Sequence, residues 1–414
     1  MMIDRGPHSG LPGCLAHRRR AARMTGPSCW DALGSGGDMN QAVATTPLSG
    51  VDSVLLDLDG VVYLGEHPIA HACESIAQLE SLGVAAAFVT NNAARPPDRV
   101  AEHLRSLGIQ AVDADIVTSA QAGARLVREM FGEGPHPVLA VGGPGVAAAL
   151  RERGMVAVDR AEDGPRAVLQ GFGFDLTWTL LAEASLALAT GIPWVATNED
   201  VSIPLRGGRA PGNGAFVQAV SLAVGRTPDL VAGKPYRPLI DESLERIGAR
   251  RALMIGDRLD TDIEAGTNAD VPTLLVMTGV TDVVDVLLAP PQRRPDFISL
   301  DLRGMYQGFP PVVGDGAQWN CGAVSVEVGD QLTDLRITGA GSFEGLGEAE
   351  AADPDVWSAA MRSLAAAVWH RRDAGGDEVM AEGSDRELGS RLALLPEVAI
   401  LQAGVDRMRH GGEG

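Results

Sequence analysis

The stretch Val51-Asp-Ser-Val-Leu-Leu-Asp57-Leu58-Asp59-Gly60-Val61 decides how the rest of the chain is read. Its apolar run, ending at Asp57, reads as a buried strand. Two carboxylates follow at i and i+2, which point the same way while the chain stays extended. Both can then face one reaction centre, where one attacks and the other moves protons. An Asp-Gly pair alone also suits an ordinary turn, so the reading depends on what the other strand ends carry.

Working outward, strand and helix signals alternate. Residues 84–90, 137–141, 167–170, 193–196, 252–257 and 273–277 read as strands, and 98–107, 177–189, 215–224 and 261–268 as helices. Alternation of this kind predicts an α/β fold with a parallel sheet covered by helices. Ligands bind such sheets beyond the carboxyl ends of the strands. The second polar strand end is Thr90-Asn91-Asn92, one hydroxyl and two amides suited to phosphate oxygens. The third is Gly256-Asp257-Arg-Leu-Asp-Thr-Asp262, where acids close a strand and open a helix. An Asp in a first helical turn also complements the macrodipole, but Asp57 and Asp257 together could share a hard cation such as Mg²⁺.

Composition narrows the classes. Of the 34 basic residues only Lys234, in Val231-Ala-Gly-Lys-Pro235, is a lysine. A compact ammonium serves sites that a planar guanidinium cannot; a GC-rich genome explains the arginines but not where the lysine stands. The formal charge of −20 argues against nucleic acid as the main partner. At 45% hydrophobic the chain can bury two or three domain cores. No apolar run approaches the roughly 18–20 residues of a membrane span. Cys14, Cys29, Cys73 and Cys321 form no CxxC pair, and a reduced, cytoplasmic compartment is expected.

Asp57-x-Asp59, Thr90, Lys234 and Gly256-Asp257-x4-Asp262 fall in the order of four known motifs. In these the sequence resembles the haloacid-dehalogenase superfamily of aspartate-nucleophile phosphotransferases, over about residues 50–305. Thr197-Asn-Glu-Asp200 and Pro211-Gly-Asn-Gly214, with Thr90-Asn91-Asn92 and Gly233-Lys234-Pro235, look like one branch of it. That branch holds the 4-nitrophenylphosphatases, phosphoglycolate phosphatases and pyridoxal-phosphate phosphatases, and actinobacterial glycerol-3-phosphate phosphatases resemble it too. Asn91, Asn92, Asn198 and Asn213, four of the seven asparagines, sit in these motifs. The resemblance implies a Rossmann-like core at 49–119 and 233–312 with a C2-type α/β cap inserted at 120–232. Two departures stand out: Ala70-His71 where the family usually has Pro-Gly, and Asp270, a left-handed turn position where it often has Gly.

The resemblance also implies roles. Asp57 would be the nucleophile and Asp59 the general acid and base. Mg²⁺ would be held by Asp57, the backbone carbonyl of Asp59, and Asp257, with Asp262 orienting a metal-bound water. Thr90, Asn91 and Asn92 would hold phosphate oxygens, and Lys234 would place a positive charge beside the nucleophile. The expected partner is a small phosphorylated metabolite: glycerol 3-phosphate or phosphoglycolate first, then pyridoxal phosphate and nucleoside monophosphates. Arg206 and Arg209 of the cap read more readily as solvated charges than as substrate contacts.

Both ends fall outside the resemblance. Residues 1–48 mix Gly, Pro, Ser and an arginine cluster without apolar periodicity and are expected to be disordered, with Met24 and Met39 as alternative starts. After about Pro311 the composition shifts. Residues 319–328 and 334–337 predict two antiparallel strands, 339–350 a Gly/Glu-rich loop, and 354–371 an amphipathic helix. Residues 317–405 are thus expected as a small α+β module, and 406–414 as a tail. A homodimer contact, a regulatory surface and a remnant acyltransferase-like fold are the roles open to the module. Gly339-Ala-Gly341-Ser-Phe-Glu-Gly345 lacks the strand–helix context of a phosphate loop, and Gly142-Gly-Pro-Gly145 reads as a strand-to-helix turn. Two rival functions are weaker. Phosphomutases of the superfamily carry a small helical cap between the first two motifs, for which the 33 positions from Asp57 to Thr90 leave no room. A binding or regulatory protein acting through the C-terminal module would not need four intact motifs.

Overall fold

The computed structural model describes residues 44–205, 208–329, 334–339, 353–374 and 385–410. Its central sheet has the order Phe297–Ser299, Thr273–Val276, Ala252–Gly256, Ser53–Leu56, Ala85–Thr90, Ile116–Thr118, with every pair parallel. Ser53–Leu56 lies in the middle and is buried on both faces, which is why its sequence runs apolar instead of alternating. Val54 and Leu56 join one hydrophobic cluster, Leu55 the other. Asp57, Thr90 and Asp257 all follow at the same end of three adjacent strands.

The insertion forms a second parallel sheet, Leu230–Val231, Trp194–Ala196, Val168–Gln170, Pro137–Val141, Val156–Val158. Helices Ser119–Phe131 and Pro144–Glu152 cover one face, and Trp178–Leu188 and Asn213–Val224 the other. Gly142 to Pro144 make the strand-to-helix turn expected there. Ser119–Phe131 starts on a capping box in which Thr118 and Gln121 satisfy each other's backbone amides. That helix packs on both the cap and the core helix Arg237–Ile247.

The ends differ from expectation. Thr45 exchanges backbone hydrogen bonds with Phe309, and Leu48 packs on the core, so residues 44–48, expected to be disordered, are part of the fold. The segment 319–328 is not one strand: Gly322, at φ 57°, turns it into the hairpin Gln318–Cys321 and Val324–Val328. With Val312–Gly314 and Leu335–Gly339 these make a four-stranded antiparallel sheet, so the module starts at 312. The helix Pro396–His410 runs through the first residues, 406–410, of the segment expected as a tail. The loop 339–350 lies outside the described residues beyond Gly339, as do Arg206 and residues 1–43.

The module is also less separate than its composition suggests. Trp319, Trp357, Leu364 and Leu401 share one cluster with Leu275, Met277 and Ile298 of the central sheet. Trp369 donates its indole hydrogen to Val286 O at 2.9 Å, and Ser358 donates to Ile298 O at 2.5 Å. Burying each large side chain of this kind contributes on the order of 2–3 kcal/mol, so the module closes one flank of the core sheet.

Candidate active site

Lys234 is where the three strand ends meet. Its Nζ donates to Asp57 Oδ1 at 2.5 Å and to Val89 O at 3.3 Å, and lies 2.7 Å from Asp262 Oδ1. The lysine side chain is 2% exposed, Asp262 0% and Asp57 13%. Carboxylate oxygens of Asp57, Asp257 and Asp262 lie within 4.8 Å of one another. Asp57 keeps the strand ladder going, donating its amide to Ile255 O. Asp262 sits in a single π-helical turn, Leu259–Ile263, right after the third strand end, a device that re-aims side chains at functional sites.

Two acids pair with one ammonium and a third, Asp257, stands beside them, and the electrostatics follow. Burial is the largest influence on Asp257 and pushes its carboxyl well above the usual range, and the Asp262 and Asp57 charges push further. Burial raises Asp262 to about 6, with Lys234 pulling down and Asp57 pushing up. Asp57 is likewise raised by burial, although Lys234 opposes it. Asp257 Oδ2 accepts from Val280 N at 2.8 Å, but its buried Oδ1 has no hydrogen-bond partner among the described residues. A Cβ on Gly279 would stand 1.8 Å from Asp257 Oδ2, so only glycine lets the loop close over this carboxylate. An orphaned buried oxygen beside two further carboxylates is the donor set of a hard divalent cation, and the residues present fit Mg²⁺.

Asp59 stands outside this acid cluster and is solvent-accessible. Nearby protein nonetheless desolvates its carboxyl and raises it, against the opposing charges of Lys234 and Arg95. Thr90 is buried, and its hydroxyl accepts from Asn92 N at 3.0 Å. Asn92 accepts from Ala94 N through its side-chain oxygen and is otherwise exposed.

The Asn91 side chain is engaged within the protein. Its amide nitrogen donates to Asp200 Oδ2 and to Lys234 O, and its amide oxygen accepts from Lys234 N at 2.8 Å. With the side chain so engaged Asn91 ties the cap to the core. Asn198 donates to Asn91 O at 2.7 Å, and Asn213 donates to Asn198 O at 2.8 Å. A Cβ on Gly214 would stand 2.2 Å from Glu199 O. The asparagine motifs thus form a knot across both cap linkers, a position where short amides satisfy backbone groups that no ladder reaches.

Several groups went unseen in the sequence. Thr278 donates to Gly60 O at 2.5 Å and Thr281 to Asp257 O at 2.6 Å, so the loop after Thr273–Val276 grips two of the three strand ends. Arg258, paired with Asp260, adds charge near Asp200. The Thr-Gly-Val-Thr sequence of 278–281 carries no signal that would single it out.

Residues 54–156 match the family described as haloacid dehalogenase-like hydrolase, and residues 231–305 one described as HAD-hydrolase-like. The D-glycerol 3-phosphate phosphatase of Mycobacterium tuberculosis is 40% identical over 78% of this chain and 87% of its own length. The chain belongs to the haloacid dehalogenase-like hydrolases, among their phosphatases. A solved structure of the glycerol phosphate phosphatase from Mycobacterium tuberculosis in complex with magnesium is 38% identical at a TM-score of 0.69, covering 79% of this chain and 93% of that one. The p-nitrophenyl phosphatase from Archaeoglobus fulgidus is 30% identical at a TM-score of 0.57, covering 62% of this chain and 98% of its own.

Proposed function

We propose that this chain hydrolyses small phosphomonoesters with Mg²⁺ through an aspartyl-phosphate, glycerol 3-phosphate being the leading substrate and phosphoglycolate the next. The observation that carries the reading is the convergence of Lys234 with Asp57, Asp257 and Asp262. The substrate rests on the mycobacterial relative's name and on the extent of the match.

In this mechanism Asp57 attacks phosphorus while Lys234 holds its other oxygen and fixes the carboxylate in line. Asp59, whose carboxyl burial raises above its ordinary value, is the proton donor to the departing alkoxide; the resulting carboxylate then takes a proton from the hydrolytic water. The Thr90 hydroxyl and the amides beyond its strand end hold phosphate oxygens. Asp57, the backbone carbonyl of Asp59, and Asp257 would hold Mg²⁺, with Asp262 behind them anchoring Lys234. When bound, the cation neutralises phosphate charge that would otherwise meet three carboxylates.

Asp57→Asn should fold and lose about a thousandfold or more of its phosphate release. The assay is a panel of glycerol 3-phosphate, phosphoglycolate, pyridoxal phosphate and nucleoside monophosphates, with Mg²⁺ and with EDTA. Turnover that survives Asp57→Asn sinks the nucleophile assignment, and a preference for pyridoxal phosphate moves the substrate. The same reading puts the enzyme in the cytoplasm, supported by Cys73 and Cys321, which form no disulfide among the described residues. No single helix among the described residues is long and apolar enough to cross a membrane. It also includes a homodimer, for which exposed Trp178, Leu186 and Leu222 on the cap helices offer apolar surface.

A further inference from the structure

The loop from Met277 to Asp282 touches the acid cluster from one side and the C-terminal helix from the other. On the site side, Val280 N donates to the Asp257 carboxylate, Thr281 Oγ1 to the Asp257 carbonyl, and Thr278 Oγ1 to the carbonyl of Gly60. Gly279 packs its α-carbon against the same carboxylate. These contacts set where Asp257 points, yet the loop has no strand or helix of its own to hold it.

The opposite side of the loop meets Arg409, in the last turn of Pro396–His410. Its Nε donates to Met277 O at 2.9 Å and its Nη2 to Thr281 O at 2.6 Å, so one guanidinium spans both ends of the loop. Nη1 pairs with Asp282 Oδ1 at 3.0 Å, and Asp282 caps the following helix Val283–Leu287. Two turns earlier on the same helical face, Gln402 accepts from Val283 N at 3.0 Å and donates to Asp282. A rigid planar fork suits this task, because it fixes several acceptors at set distances. The Arg409 side chain is only 17% exposed, which strengthens bonds to a charged donor.

We propose that Arg409 is a positioning residue for the cation site: through the 277–282 loop, the C-terminal module sets the geometry of Asp257 and thereby the affinity for Mg²⁺. The inference rests on the proposed role of Asp257. It gives the module a part in the chemistry, acting from a helix that contributes no group to the acid cluster.

The test is Mg²⁺ binding by calorimetry to the metal-free full chain, together with the Mg²⁺ concentration for half-maximal activity. In Arg409→Met both should weaken by roughly three- to tenfold, at or below the low end of what losing an outer partner of a metal ligand costs. The kcat at saturating Mg²⁺ should stay near that of the parent. Arg409→Lys reaches one carbonyl but cannot span two, and should shift the affinity by about two- to threefold. A loss of active protein with an unshifted Mg²⁺ midpoint would mark a merely structural role and overturn the proposal. If Arg409→Met does not fold, Arg409→Lys decides: parental affinity overturns the proposal and weakened affinity supports it. If the parent itself binds no Mg²⁺, it is the reading of Asp257 that fails.

Discussion

Two buried ionic clusters among the described residues are built on opposite plans. Around Lys234, three carboxylates gather, and two of them, Asp57 and Asp262, pair with its one ammonium. Around Glu242, on the core helix Arg237–Ile247, the ratio is reversed. Arg153 reaches the Glu242 carboxylate at 2.5 Å, Arg246 at 2.8 Å and Arg125 at 3.7 Å, while Glu152 and Glu245 balance the remaining charge from the surface. The Glu242 cluster joins the core helix to two cap helices, and each of its charged groups has an opposite charge beside it, Arg125 Nη1 through ion pairs to Glu245 at 2.8 Å and Glu242 at 3.7 Å although it makes no hydrogen bond. The Lys234 cluster leaves Asp257 Oδ1 without a partner. Buried charge is costly unless compensated, so the deficit marks the cluster that awaits a ligand and the balanced cluster is structural.

Three predictions bear on that contrast. The largest effect is expected from Asp257→Asn, which removes charge from the overfilled cluster. Mg²⁺-dependent turnover should fall at least about a hundredfold, since even outer partners of a metal ligand can cost that much. The metal-free protein should melt no lower than the parent. The pH dependence has a definite sign. Asp262 is raised from 3.8 to about 6, so the metal-free fold binds protons more tightly than the unfolded chain and loses stability as pH rises through that window. Mg²⁺ takes the place of those protons, and its thermal stabilisation should be larger at pH 7.5 than at pH 5. Asp257→Asn should flatten that difference. An equal Mg²⁺ effect at both pH values would break the contrast between the clusters.

Glu242→Gln should do the reverse. Removing the common partner of three arginines should cost about 2 kcal/mol, less than for a fully buried pair because the arginines are partly exposed. Denaturant unfolding would measure it, with kcat/KM changed less than about twofold. A selective loss of activity would assign this cluster to the site instead.

The smallest effect concerns the backbone. His71, at φ 65°, and Asp270, at φ 59°, are the two non-glycine residues with positive φ among the described residues. Both are positions where the family resemblance places glycine. His71→Gly and Asp270→Gly should each stabilise by up to about 1 kcal/mol, read by thermal unfolding, because the left-handed conformation strains a Cβ.

The positions of the strand ends were legible because a central parallel strand is apolar on both faces and stops abruptly at its polar terminus. Ala252–Gly256 and Pro137–Val141 therefore stand where their sequences put them. Ile116–Thr118 and Val156–Val158 are three residues each, too short to carry a period. The helix Arg237–Ile247 is mostly charged, with its apolar stripe reduced to a few residues such as Leu239 and Ile240. The linking contacts of Asn91 were not legible, because an amide's chemistry is visible in sequence while its partners, 109 and 143 positions away, are not.

By itself the sequence determined the fold class, the three strand-end motifs and the one lysine placed among them, since these follow from local patterning and residue chemistry. Only the tertiary structure decided how the charges balance and what holds the loop over Asp257. Those depend on which distant carbonyls and carboxylates share a low-dielectric space. A chain segment set aside as a tail could therefore supply, in Arg409, the clamp on a loop more than a hundred residues before it.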